Sequence, residues 1–313
     1  MILVTGATGF IGRVLVRHLT ESRQQVRVLL RPSPKSPRLP KGVPVEVAVV
    51  SLHDERGLRA ALRGVNQIYH LASAESLGQH GDLFATDIEG TRTLAQIAAR
   101  TQIERLIYLS HLGADRASAF PVHKAKGIAE EHIRKSGVPH TIIRSAVVFG
   151  PEDHFTTNLA RFILRSPGIL PIPGNGRTLI QPLWVEDLVT CLVWALHNPE
   201  TLNQTYEIGG GEYFTVRQTL EIIMNVIQAR RLMAPLSLPY MRALFVTLDA
   251  LTPGFNFPTY WLDYTAVNRT CPVDNLPRTF GLMPARFAYR LNYLKRKPLT
   301  QRIWEALRAP RQT

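Results

Sequence analysis

Ile2-Leu3-Val4-Thr5-Gly6-Ala7-Thr8-Gly9-Phe10-Ile11-Gly12 sets an apolar run, a glycine-rich turn and the start of an amphipathic segment in direct succession. The apolar run predicts a buried strand. Ile11, Leu15 and Leu19, spaced four apart, predict the inner face of the helix that follows. In this context each glycine has a separate task. Gly6 permits the tight turn, Gly9 leaves no side chain between the backbone and a pyrophosphate, and Gly12 lets the helix pack closely on the strand. The pyrophosphate then rests on free N–H groups at the positive end of the helix. Gly6, Thr8, Gly9, Phe10, Ile11 and Gly12 are therefore candidate dinucleotide-binding residues.

Further along, Val26–Leu30, Val45–Val49, Gln67–Leu71, Arg105–Ser110 and His140–Arg144 read as strands separated by helical patterns, one of them carrying Leu94, Ile97 and Ala98. Such alternation predicts an α/β fold of the Rossmann type: a doubly wound parallel sheet with right-handed crossovers and strand order 3-2-1-4-5-6. Residues 1–150 form this nucleotide-binding domain. Residues 151–313 are expected to form a smaller, dependent substrate-side region, because proline and glycine connections such as Pro171-Ile172-Pro173-Gly174-Asn175-Gly176 break the rhythm. Within it Glu186–Leu196 reads as a helix, and Thr205–Ile208 as a short strand rejoining or flanking the main sheet. The apolar stretch Tyr240–Leu251 is too short for a transmembrane helix and contains Arg242 and Asp249.

Composition sets the outer bounds. With 45% hydrophobic and 19% charged residues among 313, the chain can bury a sizeable core. Met1 leads directly into the first strand without a basic leader, and Cys191 and Cys271 lie far apart, so a reducing, cytoplasmic setting is expected. None of the 10 histidines falls in a metal-ligand spacing, and no metal is expected. A net charge of +13 calls for an anionic partner. Arg286, Arg290, Lys295, Arg296, Lys297, Arg302, Arg308 and Arg311 face one acid, Glu305, and are interleaved with Tyr289, Leu291, Tyr293, Leu294, Ile303, Trp304 and Leu307. That mixture is either a solvated tail or a surface suited to an anionic membrane or membrane complex. Nucleic acid is not an expected partner, because no DNA- or RNA-binding motif is present.

The end of the second strand selects between cofactors. An acid there would bind the ribose 2′-hydroxyl of NAD, whereas a cation would accept the 2′-phosphate of NADP. Arg31 stands there, with Lys35 and Arg38 close behind. NADP(H) is thus the expected cofactor, with NAD(H) the alternative.

These residues resemble the atypical and extended short-chain dehydrogenase/reductase superfamily, which includes sugar-nucleotide epimerases. Beyond the glycine loop, the resemblance rests on His70-Leu71-Ala72, Gly90-Thr91, Tyr108-Leu109-Ser110 and Arg144 through Val148-Phe149-Gly150-Pro151. Gln181-Pro182-Leu183-Trp184-Val185-Glu186-Asp187 and Ile208-Gly209-Gly210 are similar to the branch containing an accessory subunit of respiratory complex I. The resemblance implies that Leu71 and Ala72 line the cofactor and that Ser110 lies in the catalytic-serine region. It also implies a Tyr-x-x-x-Lys pair, whose tyrosine exchanges a proton with substrate.

That pair is incomplete. The corresponding segment is Phe120-Pro121-Val122-His123-Lys124-Ala125-Lys126. If Lys124 is the lysine, Phe120 stands at the tyrosine position; if Lys126 is, as its spacing to Glu130 favours, Val122 does. Neither register supplies a hydroxyl. Lys126 is the candidate for the nicotinamide ribose, and His123 the candidate substitute proton donor. Ser51 stands where relatives place an aspartate near the adenine, and Asp87 where many place an asparagine. Glu186 and Asp187 are expected to favour the start of a helix, and Trp184 to be core or pocket wall.

Two functions fit. One is an NADP(H)-dependent oxidoreductase of weak or atypical activity on a hydrophobic carbonyl or quinone-like substrate, with Ser110, Lys126 and His123 at the chemistry. The other is a cofactor-bound structural, assembly or redox-sensing accessory protein at a membrane surface. Both need the dinucleotide. Arg31→Ala is expected to remove a preference for NADPH over NADH of about ten- to a hundredfold, measured by calorimetry with each coenzyme.

Overall fold

A computed structural model describes residues 1–33, 42–251 and 260–295. The first half alternates as the periodicity requires: β1 (Ile2–Thr5), α1 (Phe10–Glu21), β2 (Val26–Leu30), β3 (Glu46–Val49), α2 (Glu55–Ala61), β4 (Gln67–His70), α3 (Gly90–Ala99), β5 (Arg105–His111), α4 (Pro121–Ser136) and β6 (His140–Ser145). The second half is more broken: β7 (Val148–Phe149), α5 (Thr156–Arg165), β8 (Ile169–Pro173), β9 (Leu179–Ile180), β10 (Leu183–Trp184), α6 (Val185–His197), β11 (Gln204–Ile208), β12 (Phe214–Thr215), α7 (Val216–Val226), β13 (Leu232–Leu236), α8 (Leu238–Leu251), α9 (Tyr260–Ala266) and α10 (Asn275–Phe280).

Seven strands form one parallel sheet in the order β11-β6-β5-β4-β1-β2-β3. This is the expected 3-2-1-4-5-6 order with a seventh strand added. That strand, β11, pairs with β6 from Gln204↔Thr141 to Ile208↔Ser145. β1 and β5 are buried nearly throughout, as strands covered on both faces must be, whereas three of the four residues of the edge strand β3 are exposed.

Alternation of side chains along the strands divides the core into two layers. Ile2, Val4, Ile107 and Ile143 pack with Leu15, Val16 and Leu19 of α1 and with Leu188 and Leu192 of α6. Leu3, Ile68, Leu106 and Ile142 face the opposite way, onto Leu58 of α2, Leu94 of α3 and Ile133 of α4. The later part of the chain thus gives both a strand and a covering helix to the nucleotide-binding sheet. A further apolar cluster joins Phe149, Leu159, Ile163, Ile172, Val216, Leu220, Phe245, Leu262 and Phe287 beyond β6. Trp184 packs against it as core wall, its ring 5.3 Å from Phe149.

The chain turns back between β1 and β4, the central neighbours around which both halves wind, and ligand crevices open at such switch points. Polar residues tie the two strand ends together. Thr5 Oγ1 lies 2.7 Å from His70 Nδ1, and His70 Nε2 lies 2.8 Å from Thr91 Oγ1. The amide of Ala72 donates to Thr5 Oγ1 at 3.3 Å.

Gly12 and Gly9 differ in what surrounds them. A Cβ on Gly12 would stand 2.1 Å from the Gly6 carbonyl oxygen and 2.8 Å from Ala7 Cα, so no side chain fits. A Cβ on Gly9 would meet only the Gly6 oxygen, at 3.2 Å. Gly12→Ala is therefore expected to cost about 1–3 kcal/mol through forced overpacking, read as a lower Tm. Gly9→Ala should leave Tm nearly unchanged while weakening coenzyme binding, which parallel calorimetry would register.

Candidate functional site

Helix α1 begins at Gly9 without a side-chain cap and without an acidic residue in its first turn. Its free amides therefore face outward with their dipole unopposed. Gly6 holds φ +71° and presses against the main chain of Leu71 and Ala72, where a Cβ would come within 2.7 Å. Leu71 and Ala72 thereby wall the glycine loop. The Thr8 carbonyl accepts from Arg13 Nη1 at 2.9 Å, Ile11 packs at the edge of the sheet core, and the Phe10 ring lies against Gly150. This exposed main-chain concavity, cleared by the missing Cβ of Gly9, fits a dinucleotide pyrophosphate. Arg31 is exposed immediately after β2. Lys35 and Arg38 lie outside the described residues, so only Arg31 of the three expected cations is placed. Ser51, near the adenine end of the expected site, receives the His53 amide at 3.3 Å.

The reactive end is built around α4. Lys126 is 3% exposed whereas Lys124 faces solvent, and Val122, four residues before Lys126, is 0% exposed. Lys126 Nζ stands 3.1 Å from Asp87 Oδ1 and 5.3 Å from the centre of the Tyr108 ring. Burial would push its ammonium down, but Tyr108 and the carboxylates of Asp87 and Glu75 hold it above the ordinary lysine value. Asp87 projects from a wide π-type turn, Phe84–Glu89, which carries it inward, and also accepts the Ala74 amide at 2.9 Å. Local helix widening of this kind recurs at functional sites. An aspartate in place of asparagine thus gives the lysine a full countercharge.

Ser110 and His123 sit differently. Ser110 donates its hydroxyl to Glu130 at 2.6 Å, and the same carboxylate receives Arg144 Nε and Nη2 at 2.9 and 2.8 Å and Arg134 at 2.9 Å. The hydroxyl is therefore spent within a buried charged node. His123 is 0% exposed, and neither ring nitrogen has a partner. Burial, followed by the charge of Arg269, lowers it to about 3, which leaves the ring neutral at physiological pH.

Three residues not singled out in the sequence complete this end. Glu75, in a 3₁₀ turn after β4, approaches His111 Nε2 at 2.6 Å and accepts the Tyr264 hydroxyl at 2.6 Å. The Tyr264 ring stands 5.7 Å from His111 and 5.3 Å from His123, packed edge-on to both. Burial would raise Glu75, but His111 and the hydroxyl of Tyr264 hold it at about 2. Tyr264 comes from α9, more than 140 residues after α3 and α4 begin, and no local pattern announces such a contact. His111 carried one faint signal, as a polar residue ending a strand that is otherwise buried.

An apolar pocket adjoins the cluster, lined by Val147, Phe155, Leu159, Ile180, Val216 and Tyr264. Residues 6–158 match an NAD(P)H-binding model, and residues 117–209 match that of the NAD dependent epimerase/dehydratase family. The chain belongs to the NAD(P)-binding, epimerase/dehydratase-like short-chain dehydrogenase/reductase superfamily. Among relatives of this superfamily, subunit 9 of the NADH dehydrogenase [ubiquinone] 1 alpha subcomplex, mitochondrial, from Arabidopsis thaliana is 31% identical over 261 residues, which is 82% of this chain and 65% of that protein. A ceramide reductase from Caulobacter vibrioides is 30% identical over 199 residues, covering 64% of this chain and 62% of its own. A superfamily structure from Agrobacterium tumefaciens with bound NAD superposes with a TM-score of 0.72 at 21% identity, over 98% of this chain and 99% of that one.

Glu186 and Asp187 stand in the first turn of α6, as expected, without a side-chain cap bond; Glu186 also binds Arg17 at 2.5 Å and His18 at 2.6 Å, tying α6 to α1. Asp187 accepts the Ala285 amide at 2.7 Å. In the basic C-terminal stretch, Leu291 is wholly buried and Tyr293 bonds Thr156 at 2.7 Å, because two short 3₁₀ turns roll them onto α5 and α7. They are not available to a membrane. Tyr289 is exposed, while Arg296, Lys297, Arg302, Ile303, Trp304, Leu307, Arg308 and Arg311 lie outside the described residues. Among the described residues no helix is long and apolar enough to cross a membrane.

The buried histidines have a consequence for acid stability. His70, desolvated and near Lys126, is lowered to about 3, as His123 is. In the unfolded chain such rings take up protons below about pH 6.5. Stability is then fully present above that pH and declines as pH falls toward 3, by at most about 1.4 kcal/mol per pH unit for each ring. Tm followed from pH 7.5 to 4.5 should fall, and less steeply in His123→Phe.

Proposed function

We propose that the chain is an NADPH-dependent oxidoreductase that reduces a hydrophobic carbonyl or quinone-like compound in the cleft at the carboxyl ends of the sheet strands. One observation carries this reading: Glu75, His111 and Tyr264 form a hydrogen-bonded cluster at the end of β5, beside the buried Lys126 of α4. An acceptor seated there meets ionisable groups at the edge of the sheet where the superfamily places its nicotinamide. The name of the Caulobacter relative, a ceramide reductase, supports an apolar substrate class.

In this reading the helix amides from Phe10 to Gly12 hold the pyrophosphate, and Arg31, with Lys35, selects the 2′-phosphate. Lys126, fixed by Asp87, orients the nicotinamide ribose with its remaining N–H donors. A bound reduced nicotinamide supplies hydride. The buried thiols of Cys191 and Cys271 suit a reducing cytoplasmic compartment.

A second reading, a cofactor-bound accessory component of a membrane complex, is favoured by the match to the mitochondrial NADH dehydrogenase subunit together with Val122 at the tyrosine position. NADPH oxidation followed at 340 nm against medium- and long-chain ketones and quinones separates the two. Slow but acceptor-dependent oxidation is expected. Tight coenzyme binding without oxidation by any acceptor would leave the accessory reading in possession.

A further inference from the structure

We propose that His111, backed by Glu75, is the group that protonates the substrate oxygen in place of the absent tyrosine. The inference rests on the oxidoreductase reading above and names the catalytic group within the same site.

The position comes first. His111 is the last residue of β5, paired across the sheet with Ser145. It therefore lies at the carboxyl edge of the sheet, where ligands of doubly wound folds bind. Its neighbour Ser110 is turned to the buried Glu130–Arg144 node, so the strand end presents an imidazole rather than a hydroxyl.

The chemistry follows from the partners. One ring nitrogen, Nε2, is taken by the Glu75 carboxylate at 2.6 Å, and the other, Nδ1, is shielded from water without any hydrogen-bond partner in the protein. A carboxylate on one imidazole nitrogen fixes the ring and stabilises its charged form, leaving the second nitrogen to exchange a proton. Tyr264 donates to the other oxygen of Glu75 and so keeps that carboxylate ionised. His123 is the weaker candidate: its ring is neutral, wholly buried, and lacks any carboxylate on either nitrogen.

The charged and titratable groups around His111 come from every packed element. Glu75 belongs to the turn after β4, His123 and Lys126 to α4, Tyr264 to α9, and Arg269 follows α9 with its guanidinium 5.8 Å from the Tyr264 ring. Glu75 is the anion among them in contact with the imidazole.

In the step itself the carbonyl carbon receives hydride from the reduced nicotinamide dinucleotide, the C=O π pair moves onto oxygen, and that oxygen takes the proton from His111 Nδ1. A C–H and an O–H bond form, the C=O π bond is lost, the carbonyl is reduced and the dinucleotide oxidised by two electrons. His111 is left neutral and regains its proton from water that enters the cleft as product leaves. Glu75 and Tyr264 act as positioning residues and remain ionised and protonated, respectively, throughout.

His111→Gln tests this with turnover and coenzyme affinity measured together. The expected result is a kcat lower by about 10²–10⁴-fold with NADPH affinity and Tm retained. Glu75→Gln should lower kcat as well while leaving NADPH affinity unchanged. Nitrogen–proton NMR of the imidazole rings gives a readout independent of activity: the His111 Nε2–H resonance, shifted downfield by its bond to the Glu75 carboxylate, should move upfield in Glu75→Gln. Undiminished kcat in His111→Gln, or an unmoved His111 Nε2–H resonance in Glu75→Gln, overturns the dyad while leaving the oxidoreductase reading intact. A wild type that binds NADPH but reduces no acceptor removes that reading and the dyad with it.

Discussion

The approach of Gly12 to the Gly6 carbonyl oxygen, too close for any side chain between them, fixes where α1 begins relative to β1. The cofactor end follows from that contact. It sets the helix amides, with their partial positive charge, at the carboxyl edge of the sheet and brings Leu71 and Ala72 against the turn. Thr5, His70 and Thr91 then fasten the two central strand ends with hydrogen bonds that are shielded from water. A neutral His70 serves here because each ring nitrogen meets a hydroxyl able to donate or accept.

In the proposed reading the end built on α4 keeps the lysine of the superfamily but changes what surrounds it. Val122, four residues before Lys126, is a buried apolar side chain, and Asp87 pairs with Lys126 where both are almost fully desolvated. Desolvating two charges is costly unless they meet at close range, and removing one partner of such a pair strands the other. The pair therefore holds Lys126 in place without the tyrosine. Tyr108 lies against Lys126 from β5, and a further hydroxyl, that of Tyr264, arrives from α9 and is bonded to Glu75.

The C-terminal half is less separate than its irregular sequence implies. β11 extends the sheet and α6 covers the face shared with α1, joined by Arg17 and His18 to Glu186. Arg105, on β5, reaches the Ala195 carbonyl at 3.1 Å and Thr201 Oγ1 at 2.6 Å, which anchors the end of α6 to the middle of the sheet. Within the apolar cluster beyond β6, Phe149 packs edge-on against both Trp184 and Phe287, at 5.3 and 4.8 Å between ring centres. Substrate-side and cofactor-side elements are thus parts of one packed unit.

What the sequence by itself determined is the part governed by local spacing. Apolar runs of strand length, four-residue helical repeats and the Gly6–Gly12 turn specify the parallel sheet, its order and the phosphate cradle, because period and glycine placement are written within a dozen residues. The spacing to Glu130 also favoured Lys126, although only its burial beside Asp87 decides between Lys126 and the exposed Lys124. Tertiary structure alone decided the rest. Whether Ser110 or His111 meets the cleft depends on which way each side chain leaves the strand end. Tyr264 joins Glu75 across 189 positions of sequence, and Leu291 and Tyr293 turn inward because α5 and α7 offer them an apolar surface. Those contacts arise between elements distant in the chain, and no periodicity within either partner encodes them.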